Sequence, residues 1–257
     1  MEFNSAITAV ISTSPLWCNP NTEIVDETYG QLRKHLPTAQ VILVMDGVHP
    51  EQPHLAERYE LFKEAIREKP WENFQIVECE TWQHQSGTLQ ELVRQKLIQT
   101  PLTFWMEHDL PLRDDCPIEW QGIVDTMLSG KLDGLRFNYV RERTTSAERG
   151  FAHPQGGIPF VRTIQFVGWP AIFRTEVFEE FVNSFESSKC YLEGSEYEGF
   201  FGNNYHRFVY GFYCPGDDPR RVYHTNGRCR GTQGERSKPY IETPRGKRYP
   251  YGFPYRP

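Results

Sequence analysis

Near the middle of the chain two carboxylates, Glu107 and Asp109, stand one residue apart around His108. They follow an aromatic, β-favouring run, Leu102-Thr103-Phe104-Trp105-Met106, bracketed by Pro101 and Pro111, which predicts a buried strand. Acids at the carboxyl end of such a strand lie where open α/β sheets hold their ligands. Two hard oxygen donors on a rigid element suit Mg²⁺ or Mn²⁺. The same residues also fit a polar strand end entering a turn, so the pattern needs company. Three further groups supply it. Asp46 closes a second apolar run and precedes Gly47. Glu193, Glu196 and Glu198 crowd one acidic, aromatic stretch, and His224 stands late in Val222-Tyr223-His224-Thr225.

The elements that must position these groups follow from periodicity. Residues 7–12 (ITAVIS) form an apolar, β-branched strand running into Thr13-Ser14-Pro15. Residues 21–36 carry Ile24, Thr28 and Leu32 at helical spacing, and Val41-Ile42-Leu43-Val44-Met45 is a strand needing cover on both faces. A charged helix over 53–68, a strand over 74–78, a polar loop over 83–87 and a helix over 89–99 lead into the Glu107 strand. Strand and helix alternate throughout, which predicts a doubly wound, mostly parallel α/β sheet with helices on both faces. Further on the spacing predicts a helix over 118–128, a strand over 134–140, one or two strands over 160–173, a helix over 175–185 and a short strand over 221–224. Residues 141–159 read as a long polar lid-like loop with Gly150, Gly156 and Gly157.

Composition bounds the class. The chain has 257 residues, 38% of them hydrophobic and 24% charged, which suits a globular α/β domain and excludes wholesale disorder. No apolar stretch approaches a membrane span of about 18 residues, and no basic region precedes an apolar run, so a cytoplasmic location is expected. The six cysteines are scattered without a CxxC pair and read as reduced thiols. Residues 220–257 hold ten Lys and Arg against Glu235 and Glu242, a net +8 within a chain of net −6. The remainder is therefore about −14, and such a split marks the tail as a candidate surface for an anionic partner.

In this layout the chain resembles the GT-A fold glycosyltransferases, nearest to the inverting, metal-dependent family 2-like enzymes, over about residues 5–226. The resemblance implies one catalytic domain over 1–230, with a nucleotide-sugar half to about 115, a smaller acceptor-side half after it, and a tail over 231–257. Glu107-His108-Asp109 takes the place of the family's DxD motif, with Glu for the first Asp, so Asp109 is the safer metal ligand. His224 occupies the place of the histidine that completes the Mn²⁺ or Mg²⁺ site. Donor binding falls to Thr13, Ser14, Asp46 (the nucleoside contact), Arg94 and Trp169, while Asp46 also reads as a plain turn residue. Glu196, following the helix-cap residue Ser195, is the implied catalytic base, with Glu193 in reserve.

The implied function is transfer of a hexose or pentose from a nucleotide-diphosphate donor to a hydroxyl of a glycan, a small molecule or nucleic acid. Hydroxylated bases of viral DNA are one such acceptor, reached through the basic tail. A nucleotidyltransferase would carry a Gly-rich basic phosphate loop after the first strand, and Ser12-Thr13-Ser14-Pro15-Leu16 has neither glycine nor base. A non-catalytic nucleic-acid binder would suit the Tyr-rich basic tail but not an acidic body.

Overall fold

A computed structural model describes residues 2–138, 158–164, 166, 168, 170–185, 200–215 and 220–225, with the backbone of 240–242 and 248–250. Four strands, β1 (Ile7–Thr13), β2 (Gln40–Met45), β3 (Phe74–Glu78) and β4 (Leu102–Glu107), pair in parallel in the order β3-β2-β1-β4. The sheet continues beyond β4 through β7 (Ala171–Arg174), β5 (Gly134–Arg136), β8 (Tyr210–Tyr213) and β6 (Phe160–Arg162), making eight strands. β7 runs antiparallel to β4 and β5, β5 and β8 are parallel, and β6 is antiparallel to β8. The expected mostly parallel sheet is therefore present, with antiparallel pairing confined to its second half. Two short strands, β9 (Tyr240–Glu242) and β10 (Arg248–Pro250), pair with each other apart from it.

The central strands are buried on both sides, and their residues divide by the two-residue alternation of a pleated strand. Ala9, Ile11, Val41, Leu43, Met45, Phe104 and Met106 face one core. There they meet α2 (Glu23–His35) through Val25, Tyr29 and Leu32, α3 (Ala56–Arg67) through Tyr59, Phe62 and Ile66, and α5 (Trp120–Leu128) through Ile123 and Val124. Val10, Ile42, Val44 and Trp105 face the other core. It is closed by α4 (His84–Arg94) through Leu89 and Leu92, α6 (Thr175–Asn183) through Phe178 and Phe181, and α7 (Phe200–Asn203). Each such buried Leu, Ile or Phe contributes about 1.5–3 kcal/mol, so the three layers hold the strand tips in a fixed row. A further helix, α1 (Phe3–Ala6), leads into β1. No helix among the described residues is long and apolar enough to cross a membrane.

Local departures from the sequence expectation have physical causes. α4 starts at His84, so residues 84–87, expected as loop, are helical. The Asp46 carboxylate accepts the amides of Gln83 and His84 and starts the helix five residues early. β8 was not expected, because Tyr210-Gly211-Phe212-Tyr213 is short and carries a glycine. Gly211 is required there, since a Cβ would stand 2.5 Å from the Phe160 ring and 2.8 Å from the Val161 carbonyl oxygen. The strand expected over 221–224 is only a strap, tied by single bridges from Val222 to Leu112 and from Arg220 to Asn138. Only residues 158 and 159 of the expected lid loop lie among the described residues.

Candidate functional site

Parallel β1 to β4 bring their carboxyl ends, and the loops that follow them, to one edge of the sheet. Ser12 pairs with Glu107, and the His108 amide donates to the Ser12 carbonyl at 3.0 Å, which carries β4 pairing just past its last residue. The chain then turns, the Leu110 amide reaching the Glu107 carbonyl at 3.3 Å. Inside this turn His108 is buried, its carbonyl accepting from the Thr28 hydroxyl of α2. Asp109 is also buried, its side chain only 6% exposed.

The strap over 220–225 closes on this turn. The Arg113 amide donates to the Arg221 carbonyl at 2.8 Å, Tyr223 to Pro111 at 3.1 Å and Thr225 to Asp109 at 2.9 Å. These bonds bring His224 Nε2 to 3.6 Å from Asp109 Oδ2. The other oxygen, Asp109 Oδ1, is buried with no hydrogen-bond partner among the described residues. A buried carboxylate oxygen left without a donor is costly, and a cation is one group that satisfies it. Carboxylate oxygen and imidazole nitrogen together suit Mn²⁺, and two protein ligands leave positions for phosphate oxygens.

Glu107 does not join this pair. Its carboxylate accepts from the Gln85 side-chain amide of α4, and among the described residues no three His, Cys, Asp or Glu side chains gather as a metal cluster. The longer Glu arm reaches the α4 side of the turn. Of the three expected metal ligands, the structure brings His224 to Asp109 and sets Glu107 against Gln85.

The remaining expected residues divide. Thr13 is buried at the tip of β1, its carbonyl accepting the Asp46 amide at 2.9 Å and its hydroxyl without a partner among the described residues. Ser14 follows it, partly exposed, on the same edge. Asp46 lies beside them, yet its oxygens are occupied: Oδ1 accepts from Gly47 at 2.8 Å and Gln83 at 2.7 Å, and Oδ2 accepts from His84 at 2.9 Å. Burial raises its carboxyl pKa, against those same three amides, which lower it. Gly47 completes the arrangement, because a Cβ there would stand 2.3 Å from the Thr81 carbonyl carbon. Arg94 is not at the site. It ends the eleven-residue α4, about 16 Å from the helix start at Asp46, and its fully exposed guanidinium is bound to Glu91. Trp169, Glu193 and Glu196 lie outside the described residues.

Groups that the sequence reading passed over also stand on this edge. Trp82 meets His49 edge-on with ring centroids 4.3 Å apart and His84 at 5.3 Å, and the exposed Trp17 lies 5.1 Å from His54. These rings sit on the loops after β1, β2 and β3. No short motif marks them, because the three loops meet only once the sheet is formed. Gln85 and Tyr223, whose hydroxyl donates to Glu27 at 2.8 Å, act through their neighbours and carry no sequence signal either.

No known protein family and no curated protein matches the chain by sequence. Solved structures do match its shape. The chain is similar to GalNAc-T7, solved with UDP, GalNAc and Mn²⁺, with a TM-score of 0.57 and 12% identity, over 87% of this chain and 44% of that one. It is similar to the mannosyltransferase PcManGT from Pyrobaculum calidifontis, solved with GDP-Man and Mn²⁺, with a TM-score of 0.51 and 11% identity, over 82% and 55%. It is likewise similar to the 4-diphosphocytidyl-2C-methyl-D-erythritol synthase from Anaerococcus prevotii, with a TM-score of 0.52 and 10% identity, over 90% and 95%. The chain thus spans about half the length of the two sugar transferases and nearly all of the synthase. At these identities the likeness shows the fold: a GT-A-like, mostly parallel α/β sheet.

Proposed function

We propose that the chain is a metal-dependent glycosyltransferase that moves a sugar from a nucleotide-diphosphate donor to an acceptor hydroxyl with inversion. The observation that carries this reading is the approach of His224 to Asp109 at the tip of β4, with Asp109 Oδ1 left without a donor among the described residues. Asp109 and His224 would hold Mn²⁺ or Mg²⁺, which when bound supplies positive charge to a departing diphosphate. Two of the similar structures were solved with Mn²⁺ and a nucleotide or nucleotide sugar, which supports the same chemistry here.

This chain's own residues then have separate tasks. Asp46 and Gly47 fix the start of α4, and Gln85 on that helix orients Glu107. Glu107, turned aside from the Asp109 pair, faces donor hydroxyls as an acceptor. Thr13 Oγ1, buried at the β1 tip, offers the donor a hydroxyl. The rings of Trp17, Trp82 and His49 give a nucleobase or sugar flat faces to lie against. The proton of the acceptor hydroxyl goes to Glu196, with Glu193 in reserve, on the sequence argument alone.

The test is calorimetry of the intact chain with a panel of UDP- and GDP-sugars, in Mn²⁺ and again in chelator. At least one donor should bind in Mn²⁺ and lose at least tenfold in affinity on chelation. Asp109→Asn should reproduce that loss without unfolding the protein. Binding that is indifferent both to chelator and to Asp109→Asn would overturn the reading. With the donor identified, Glu196→Gln should lower turnover about a hundredfold or more while donor affinity stays near wild type. Normal turnover in both Glu196→Gln and Glu193→Gln would remove the inverting assignment.

Nucleotidyl transfer is the second reading, favoured by the coverage of nearly the whole diphosphocytidyl-methylerythritol synthase. It needs a basic, glycine-rich phosphate loop after β1, which Ser12-Thr13-Ser14-Pro15-Leu16 does not provide. Release of pyrophosphate from CTP in the presence of a sugar or polyol phosphate would establish it instead.

A further inference from the structure

The opposite rim of the sheet, where β1, β2 and β3 begin, holds a separate cleft of about 640 Å³. Its lining includes Asn4, Thr38, Gln40, Asn73, Phe74 and Gln75, and none of its lining residues is Asp, Glu, Lys or Arg. Gln40 and Gln75, with Thr8 beside them, continue the rows of Val10, Ile42 and Val77 that pack the second core, so three neighbouring strands change from apolar to polar together at this rim. A solvated rim has ordinary use for Lys and Glu; amides and hydroxyls alone are a narrower choice.

Thr100 Oγ1 donates to Thr8 Oγ1 at 2.8 Å and Asn4 Nδ2 to the Glu2 carboxylate at 3.2 Å, but the bonds among the other groups are long. Thr8 Oγ1 donates to Gln40 Oε1 at 3.4 Å, and Gln40 Nε2 donates to Gln75 Oε1 at 3.5 Å. Asn73 Nδ2 donates to the Thr38 carbonyl at 3.3 Å, and the Thr38 amide donates to Asn4 Oδ1 at 3.5 Å. Ordinary N–H···O bonds are near 2.9–3.0 Å, so each of these holds its partner weakly. Every side-chain amide presents both donors and an acceptor, and a ligand bearing several hydroxyls would replace this slack network with shorter bonds.

We propose that this cleft binds a neutral saccharide of two or three units, held by the amides of Gln40, Asn73 and Gln75. The absence of charge from the lining sets it against phosphorylated, sulfated or sialylated ligands. Its volume falls within the range of small-ligand sites. The inference does not rest on the donor-site reading, because the cleft lies at the other end of the strands.

Saturation-transfer NMR on the full chain with maltotriose, cellotriose and chitotriose tests it, with sialyllactose as the charged comparison. At least one neutral trisaccharide should receive saturation and sialyllactose none. The double variant Gln40→Ala, Gln75→Ala should weaken the signal at least tenfold, and Gln75→Glu, which keeps size and adds charge, should do the same. Asp109→Asn should leave it unchanged. The proposal is overturned by no transfer to any of the three, by equal transfer to sialyllactose, or by a signal that survives Gln75→Glu.

Discussion

Asp46 and Asp109 both end apolar strands and both are buried, but their neighbours set them to different work. Three backbone amides converge on Asp46, so removing it strands buried donors at the start of α4. Asp46→Ala is expected to cost about 1–3 kcal/mol of stability, read as a fall in denaturation midpoint, and an unchanged midpoint would show that water replaces the carboxylate freely. Among the described residues, one Asp109 oxygen has no donor, a histidine stands beside the other, and no set of amides converges on its carboxylate. Its removal should therefore spare stability and abolish metal-dependent binding. The two metal-site candidates separate in the same way: His224→Ala should lower Mn²⁺-dependent donor affinity at least tenfold, whereas Glu107→Gln should change Mn²⁺ affinity by less than threefold. Equal losses in the two variants would place Glu107 in the metal set beside Asp109 and His224. The sequence could place both aspartates at strand tips because apolar runs end visibly. It could not show that Asp46 is occupied, because two of the amides that fill it, those of Gln83 and His84, come from a distant segment.

At the scale of elements, the parallel half was legible because its strands are short apolar, β-favouring runs, β2 continuously so, set between helical periods. β1, β2, β3 and β4 fall within a residue or so of their expected ends. The second half was less so, since β5, β6 and β7 are three or four residues long and β8 contains a glycine. Their pairing is decided by contacts distant in sequence, such as β8 lying between β5 and β6. The strap over 220–225 shows the limit most directly. His224 was legible as a late histidine, but what presents it is backbone bonding to residues 109–113 and the Tyr223 hydroxyl on Glu27 of α2. Tyr223→Phe keeps the ring and removes that bond. It should loosen the strap by about 1 kcal/mol, equivalent to about fivefold in Mn²⁺-dependent donor affinity. Thermal stability without metal should stay within a degree or two. No change in affinity would mean that the backbone bonds of Arg113, Tyr223 and Thr225 suffice.

For the whole molecule, His35 joins pieces that the site depends on. It ends α2, its Nε2–H donates to the Arg113 carbonyl at 2.8 Å just past the Asp109 turn, and its Nδ1 faces the Trp120 indole N–H of α5 at 3.5 Å. Accepting from Trp120 while donating to Arg113 requires the neutral ring. Burial lowers its pKa below the usual 6.5, against the bond to Arg113 and the charge of Asp114, which raise it. The sign follows from linkage. Below pH 6.5 the unfolded chain takes up a proton at His35 before the folded chain does, so stability is full above about 6.5 and falls as pH drops through it. Asp46 works oppositely and in a lower range: its raised carboxyl pKa favours the folded state as pH falls through the carboxylate region. Between pH 7.5 and 5.5 a comparison with His35→Gln isolates the His35 contribution, because the other ionisable groups are common to both proteins. Wild type should lose melting temperature across that interval, and His35→Gln, which has a lower starting stability, should lose measurably less. Parallel pH profiles for the two proteins would show that His35 is protonated in the fold, and that the contact of α2 with the Asp109 turn does not depend on its neutral ring.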